Sequence, residues 1–312
     1  MKIYSYYAEL YSYKEYIRSL IKNEGINVNL EDIFTSFDKS ILSREHIHKY
    51  TYTQMDEIRF SIMRLFIYYF SKSVQEHSFK QEDYIHFFKF IKKQKTKSPT
   101  TIITTNWDTL IEEYCERNKI KYDYGFKIPY TNMHDNACES DIILLKIHGS
   151  ANWLRCLHCG AFLVFKKGEA AKSLFEDGKN ETCTVCGQGE SFNAPSLQPE
   201  IITPTMLKSF ANCLYLNIWS AASKALREAT EVIFIGYSFP IADFDFRYML
   251  QKSISTKARI DVVLHENDNP EQTESKNLQS LFPEKRYRDA FPKNTLRFFY
   301  NGFSDYFSCY SS

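Results

Sequence analysis

Two Cys-x-x-Cys pairs, Cys156/Cys159 and Cys183/Cys186, constrain this chain more than any other feature. Each pair is followed at once by a glycine, Gly160 and Gly187, which allows the tight turn that lets two thiolates reach one ion. Soft thiolates favour zinc, and two such knuckles supply all four ligands of a tetrahedral site. The expectation is a closed zinc site at Cys156, Cys159, Cys183 and Cys186, which leaves no open position and so serves structure, not chemistry. Two disulfides are the rival. Against them, Cys115, Cys138, Cys213 and Cys309 are scattered singly, and the N-terminal MKIYSYYAEL has neither the basic nor the apolar region of an export signal.

With 312 residues and 44% hydrophobic content, the chain can bury a large core as one sizeable domain with insertions, or as two. Its 39 basic and 38 acidic residues leave no electrostatic footprint for nucleic acid or an anionic membrane, and no apolar run approaches the length of a spanning helix. A cytoplasmic protein is expected.

Residues 1–98 are expected to be helical, with Ile58, Ile62, Leu65, Phe66 and Tyr69 at the three-and-four spacing of a buried helix face. A lysine-rich stretch, Lys89 to Lys97, reads as a solvated helix end, and Pro99 marks a boundary. Beyond it, residues 99–312 change to short apolar runs alternating with helical patterns. Thr100 to Thr105, Ile142 to Ile147, Val232 to Ile235 and Ile260 to Leu264 have the length and β-branched content of buried strands. Helical segments, Leu110 to Cys115 and Trp219 to Ala229, lie between them. The fold class this implies is α/β: a Rossmann-like parallel sheet with helices on both faces, interrupted by a zinc module at 151–195.

Parallel open sheets place ligand sites beyond the carboxyl ends of their strands. There the sequence is unusually polar: Thr105-Asn106-Trp107-Asp108, His148-Gly149-Ser150, Gly236-Tyr237-Ser238 and His265-Glu266-Asn267 follow the four runs. Each has a plain structural reading. Asn106 or Asp108 can cap the following helix, His148 can be a satisfied core histidine, and Gly236 can be a turn. Their occurrence together points to one shared crevice.

The order TTNWD (Thr104 to Asp108), KIHGS (Lys146 to Ser150), two C-x-x-C pairs and IGYSFP (Ile235 to Pro240) resembles the sirtuin superfamily, and more narrowly the bacterial SIR2-like domains, many of them NAD-consuming effectors of antiviral defence against phage. The resemblance runs from about Pro99 to Asn267. It implies NAD as substrate and zinc as a structural metal. It assigns Asn106 and Asp108 to the nicotinamide ribose and a water, with Thr105 beside them, and His148 as general base. Gly236 and Ser238 would line the adenosine side, and Glu266 and Asn267 would meet the adenosine ribose. A homo-oligomer or a defence-system partner protein is also implied.

Two departures bear on function. The family opens with a strand and a glycine-rich phosphate loop, whereas the first glycine here is the isolated Gly25 and no G-x-G precedes Asn106. The first strand and its loop are therefore expected to be missing from this chain, and to come from codons upstream of Met1 or from a partner unless the protein is a degenerate member. The family's deacylases also bind acyl-lysine peptide by strand addition to a Phe-Gly-Glu segment, where this chain has PEIITPT (Pro199 to Thr205), and Pro204 lacks an N–H. Water is then the expected acceptor. The reading is an NAD glycohydrolase; the alternatives are a catalytically dead nucleotide-binding or scaffold module and an NAD-dependent protein deacylase.

Overall fold

The computed structural model describes residues 30–47, 50–76, 81–95, 100–125, 140–166, 168–175, 183–187, 197–205, 207, 213–240, 243–265 and 283–308. Helices α1 (Leu30–Ser43), α2 (Tyr52–Glu76) and α3 (Gln81–Lys95) precede β1 (Thr101–Thr104), α4 (Leu110–Arg117), β2 (Tyr122–Asp123) and β3 (Ile142–Lys146). The chain continues through β4 (Gly149–Cys156), β5 (Phe162–Val164), α5 (Glu169–Phe175) and β6 (Leu197–Ile201). It closes with α6 (Cys213–Glu228), β7 (Glu231–Ile235), α7 (Phe244–Ser253), β8 (Arg259–Val263), α8 (Pro283–Ala290), β9 (Thr295–Phe299) and α9 (Gly302–Ser308). None of the described helices is long and apolar enough to cross a membrane.

The strands expected from the four apolar runs are β1, β3, β7 and β8, and all of them run parallel to their neighbours. Alternation along β8 divides the core by face. Ile260 and Val262 pack with α6 and α7 side chains such as Ile218, Leu226 and Leu250, whereas Val263 turns to Phe87, Phe88 and Phe307 on α3 and α9. Helices thus cover both faces, as an α/β fold of buried parallel strands requires.

The parallel strands form two three-stranded halves, β1-β3-β2 and β7-β8-β9, with no ladder between them among the described residues. Among the described residues, β1 pairs with β3 alone and β7 with β8 alone. Yet Ile102 of β1 and Ile233 of β7 belong to one apolar cluster, and Ile103 and Phe234 to another, so a common core joins the halves. Both facing strands are only partly covered although their sequences, TIIT and EVIFI, are as apolar as those of the buried β3 and β8.

A third sheet, β5-β4-β6, is antiparallel and carries the cysteine module. Helix α2 lies against it: Ile67 and Phe70 pack on Leu154, Leu163 and Leu174, while Ile58 and Ile62 pack with Phe34, Phe37 and Ile201. One expectation for this helix is corrected. Ile58, Ile62 and Leu65 are buried, but Tyr69 is 48% exposed and sits edge-on to Tyr68. Contact with two layers at once moves the buried surface onto Met55, Met63 and Ile67 and leaves Tyr69 on the outer side.

Candidate active site and metal centre

β1 and β3 bring the first two motifs together. Thr104 stands opposite Lys146 in the ladder, and the Ile147 N–H donates to the Thr104 carbonyl at 3.1 Å. The loops leaving the two strands are tied again where the Ala151 N–H donates to the Trp107 carbonyl at 2.8 Å. Adjacent strands lie about 4.8 Å apart. Residues 105–108 and His148 therefore emerge side by side at the carboxyl end of one half-sheet.

Within that loop each residue has a different environment. Thr105 is half-buried and Asn106 is exposed, its backbone N–H donating to Thr104 Oγ1 at 3.0 Å. Trp107 turns the other way, stacking on Phe66 at 5.4 Å between ring centres and meeting Phe70 edge-on at 6.1 Å. Asp108 Oδ1 accepts the Leu110 N–H at 3.1 Å, so this carboxylate fixes the first turn of α4. This is an Asx turn ahead of the helix; the cap position itself falls on Thr109, which makes no side-chain cap bond.

His148 is mostly buried, with 8% exposure, and its Nε2 is shielded from solvent. Its carbonyl accepts the Ile202 N–H at 2.8 Å, which locks the turn between β3 and β4 against β6. Gly149 makes that turn possible. It has φ +82°, and a Cβ there would lie 2.3 Å from the Glu200 carbonyl oxygen, 2.7 Å from Tyr215 Oη and 2.8 Å from Ile201 Cα. Only glycine combines this backbone conformation with so close an approach of the neighbouring strand. Beneath it, burial pushes the Tyr215 phenol well above its ordinary pKa, and the Glu200 carboxylate adds to the effect.

The third motif lies in the other half-sheet. Helix α6 begins beside Gly149, where Tyr215 packs, and Trp219 Nε1 donates to the Ile147 carbonyl at 3.0 Å. Its 16 residues span about 24 Å before β7 starts. Gly236, with φ +61°, and Ser238 follow β7 and are exposed. The hydrogen bonds that join the first two motifs do not extend to them; shared core residues and α6 make the connection. Glu266 and Asn267 lie outside the described residues. A cavity of about 180 Å³ sits at the opposite end of β3, lined by Phe88, Ile91, Lys119 and Asp141, and shares no residue with these motifs.

The four cysteines converge. Their sulfurs lie within 4.8 Å of one another, with Cys156 Sγ 3.8 Å from Cys186 Sγ and Cys159 Sγ 3.7 Å from Cys183 Sγ. Four thiolates bound tetrahedrally about 2.3 Å from a zinc ion stand about 3.8 Å apart, whereas a disulfide brings sulfurs to about 2.05 Å. The arrangement fits zinc, and Cys115, Cys156, Cys159, Cys183 and Cys186 are free thiols. In each knuckle the glycine N–H donates to the first cysteine's carbonyl, Gly160 to Cys156 and Gly187 to Cys183, both at 2.9 Å. Both glycines have positive φ, 72° and 70°. Cys156 terminates β4, so one continuous stretch from Ile142 to Cys156 joins the β3 end to the cysteine cluster. Cys115 stands apart in α4, where burial, followed by nearby Glu112, pushes its thiol up to about 12 and leaves it inert at neutral pH.

A family profile described as a SIR2-like domain matches residues 100–285, and the chain belongs to that family. Similar solved structures include one described as the structural basis for the mechanism and regulation of Sir2 enzymes, 13% identical over 82% of this chain and 78% of that one, with a TM-score of 0.43. A Sir2 homologue in complex with NAD is 14% identical over 72% of this chain and 61% of that one, TM-score 0.38. A Sir2 bound to acetylated peptide is 14% identical over 73% and 68%, TM-score 0.38. Comparison with curated proteins gave no match.

Sequence reasoning missed what braces the site. Lys146, Glu112 and Tyr124 are buried beneath the Asn106 loop and joined by hydrogen bonds, Lys146 Nζ to Glu112 Oε1 at 3.0 Å and Tyr124 Oη to the same oxygen at 3.3 Å. The signal available was a lysine interrupting the apolar run IILLKI.

Proposed function

We propose that this chain is an NAD-consuming enzyme that cleaves the bond between nicotinamide and ribose and passes the ribose to water, an NAD glycohydrolase of the kind that serves as a phage-defence effector. The observation that carries the reading is the delivery of Asn106 and His148 by adjacent parallel strands to one sheet end, in a member of the SIR2-like family. The reaction passes through an oxocarbenium-like state, so orientation of the ribose and placement of a nucleophile dominate its catalysis. In this reading exposed Asn106 holds the nicotinamide ribose and the attacking water. His148 accepts a ribose hydroxyl proton, for which a near-neutral imidazole is suited. Asp108 supports the loop through α4 while facing the ribose with its other oxygen; Thr105 borders the ribose, and Gly236 and Ser238 border the adenosine half. Glu266 and Asn267 keep their assignment to the adenosine ribose. Zinc, bound by Cys156, Cys159, Cys183 and Cys186, braces the β4–β6 module and takes no part in the chemistry.

The deacylase alternative meets a specific obstacle. PEI of PEIITPT lies in β6, whose ladder with β4 is already formed, whose Pro199 lacks an N–H, and whose Ile201 is packed beneath α1 and α2. A peptide strand added along β6 would meet a backbone one donor short at Pro199. The non-catalytic alternative draws on the shielding of His148 Nε2 and on the lack of a glycine-rich turn before Asn106.

The half-sheets suggest how the missing element is supplied. Among the described residues β1 and β7 each keep an unladdered edge and partly bare apolar side chains. A strand entering there, followed by a glycine-rich turn, would complete the sheet and bring backbone amides to the pyrophosphate. We take it to come from an upstream extension of the reading frame or from a partner, and expect the 312-residue chain alone to bind NAD weakly.

The test is nicotinamide release followed by chromatography. In the completed preparation His148→Ala and Asn106→Ala are each expected to lower the rate by about 10²–10⁴-fold, the range for a general base or orienting contact, while the fold and metal content hold. Retained activity in His148→Ala would remove the proposed base.

A further inference from the structure

We propose that Lys146, paired with Glu112, is a positioning residue that fixes the Asn106–Asp108 loop from below. Its value for NAD rests on the function proposed above; its effect on the loop does not. Lys146 ends β3 two residues before His148, and its side chain is 2% exposed. Its ammonium makes two bonds, one to Glu112 Oε1 at 3.0 Å and one to the backbone carbonyl of Asp108. Glu112, 4% exposed on α4, also accepts from Tyr124 Oη, and its second oxygen, Oε2, is buried without a hydrogen-bond partner. Tyr124 Oη in turn accepts from Asn152 Nδ2 at 3.4 Å.

Taking two charges out of water is costly, and a well-packed apolar pair of similar volume is often as stable as a buried ion pair. Packing alone therefore gives no reason for Lys146 to be a lysine. The contact an apolar residue cannot replace is the one to the Asp108 carbonyl. Because Glu112 balances the charge, the pair imposes little net field on the site, and its influence is geometric.

That contact completes a set of ties on the loop. Asn106 is held through its N–H by Thr104 Oγ1, Trp107 through its carbonyl by the Ala151 N–H, and Asp108 through its carboxylate by the Leu110 N–H. Lys146 holds the Asp108 carbonyl from the end of the strand that leads to His148. It thereby sets the register between the loop that presents Asn106 and the turn that presents His148, where a displacement of about 1 Å can cost on the order of 100-fold in rate.

The test is hydrogen exchange, read by mass spectrometry on peptides spanning residues 105–110, in the full chain with its metal. Lys146→Met alone strands the Glu112 charge and risks misfolding, so the informative variants are the apolar pairs Lys146→Met/Glu112→Leu and Lys146→Leu/Glu112→Met, neither of which leaves a donor for the Asp108 carbonyl. In whichever of them melts within a few degrees of the parent and keeps its metal, the loop is expected to exchange at least about tenfold faster, with the β8 amides unchanged. Unchanged loop exchange in such a variant overturns the proposal. Where the parent hydrolyses NAD, the same variant should lose about 100-fold in kcat with KM altered less than about threefold. A preparation completed with the strand and glycine-rich turn that never hydrolyses NAD refutes the proposed function, while the exchange result still decides the role of Lys146.

Discussion

Gly149→Ala is expected to destabilise the fold by about 2–5 kcal/mol, from a left-handed backbone strain of about 1–2 kcal/mol and an overpacking cost of about 1–3 kcal/mol. The added Cβ meets backbone on two sides, Glu200 O at 2.3 Å and Ile201 Cα at 2.8 Å, and neither can rotate away. Relief requires β6 to move off β4, which breaks the Ile202 to His148 hydrogen bond and releases the turn that holds the imidazole. A fall in melting temperature on the order of 10 °C, with loss of any NAD activity, is the expected reading. Gly302→Ala is the control. Gly302 has φ +81° but nothing within 4 Å of its would-be Cβ, so it should show the backbone strain alone.

Cys183→Ser is expected to remove the metal and with it the folded module. Purified protein should hold about one zinc per chain, since four thiolates close a single tetrahedral site. Cys183 is fully buried in the cluster of Leu154, Leu163 and Leu174, so loss of one ligand leaves the others without an ion and the layer without its anchor. Metal-binding energy here is folding energy, and chelation should unfold the β4–β6 module ahead of the parallel strands. Cys115→Ser lies outside the site and should keep its zinc. Metal-free protein that melts like the loaded form would contradict the assignment.

The parts of this fold that were legible are those in which local chemistry leaves few choices. A metal imposes short ligand spacings, so the cysteine pairs announce their site. Strands buried on both faces read as apolar runs, so β1, β3, β7 and β8 were visible within a residue or two. β4 was hidden: GSANWLRC carries polar residues on a strand buried on both sides, and Asn152 and Ser150 find partners inside. β6 contains Pro199, which reads against a strand interior, and β9, TLRFF, lies beyond the four apolar runs.

At the site, the strand-end residues could be picked out because an apolar run followed by Asn, Asp or His is conspicuous. Their support could not. Glu112 and Glu113 look like a solvated helix face, yet both are buried, one by an ion pair that only tertiary packing creates. Trp107 lies within the first strand-end motif, but its partners, Phe66 and Phe70, come from a helix some forty residues upstream. The division of the sheet was foreshadowed only by the scarcity of glycine before Asn106.

Nicotinamide release is the most direct measurement of whether this site cleaves NAD. It should be compared between the 312-residue chain and a preparation supplied with the completing strand and glycine-rich turn, from in-frame upstream codons or from a partner. Release is expected only in the completed preparation, and is expected to disappear in its His148→Ala and Asn106→Ala variants while zinc remains bound. Release that persists in those variants, or a completed protein that binds NAD and leaves it intact, would contradict the assignment of this site to glycosidic cleavage.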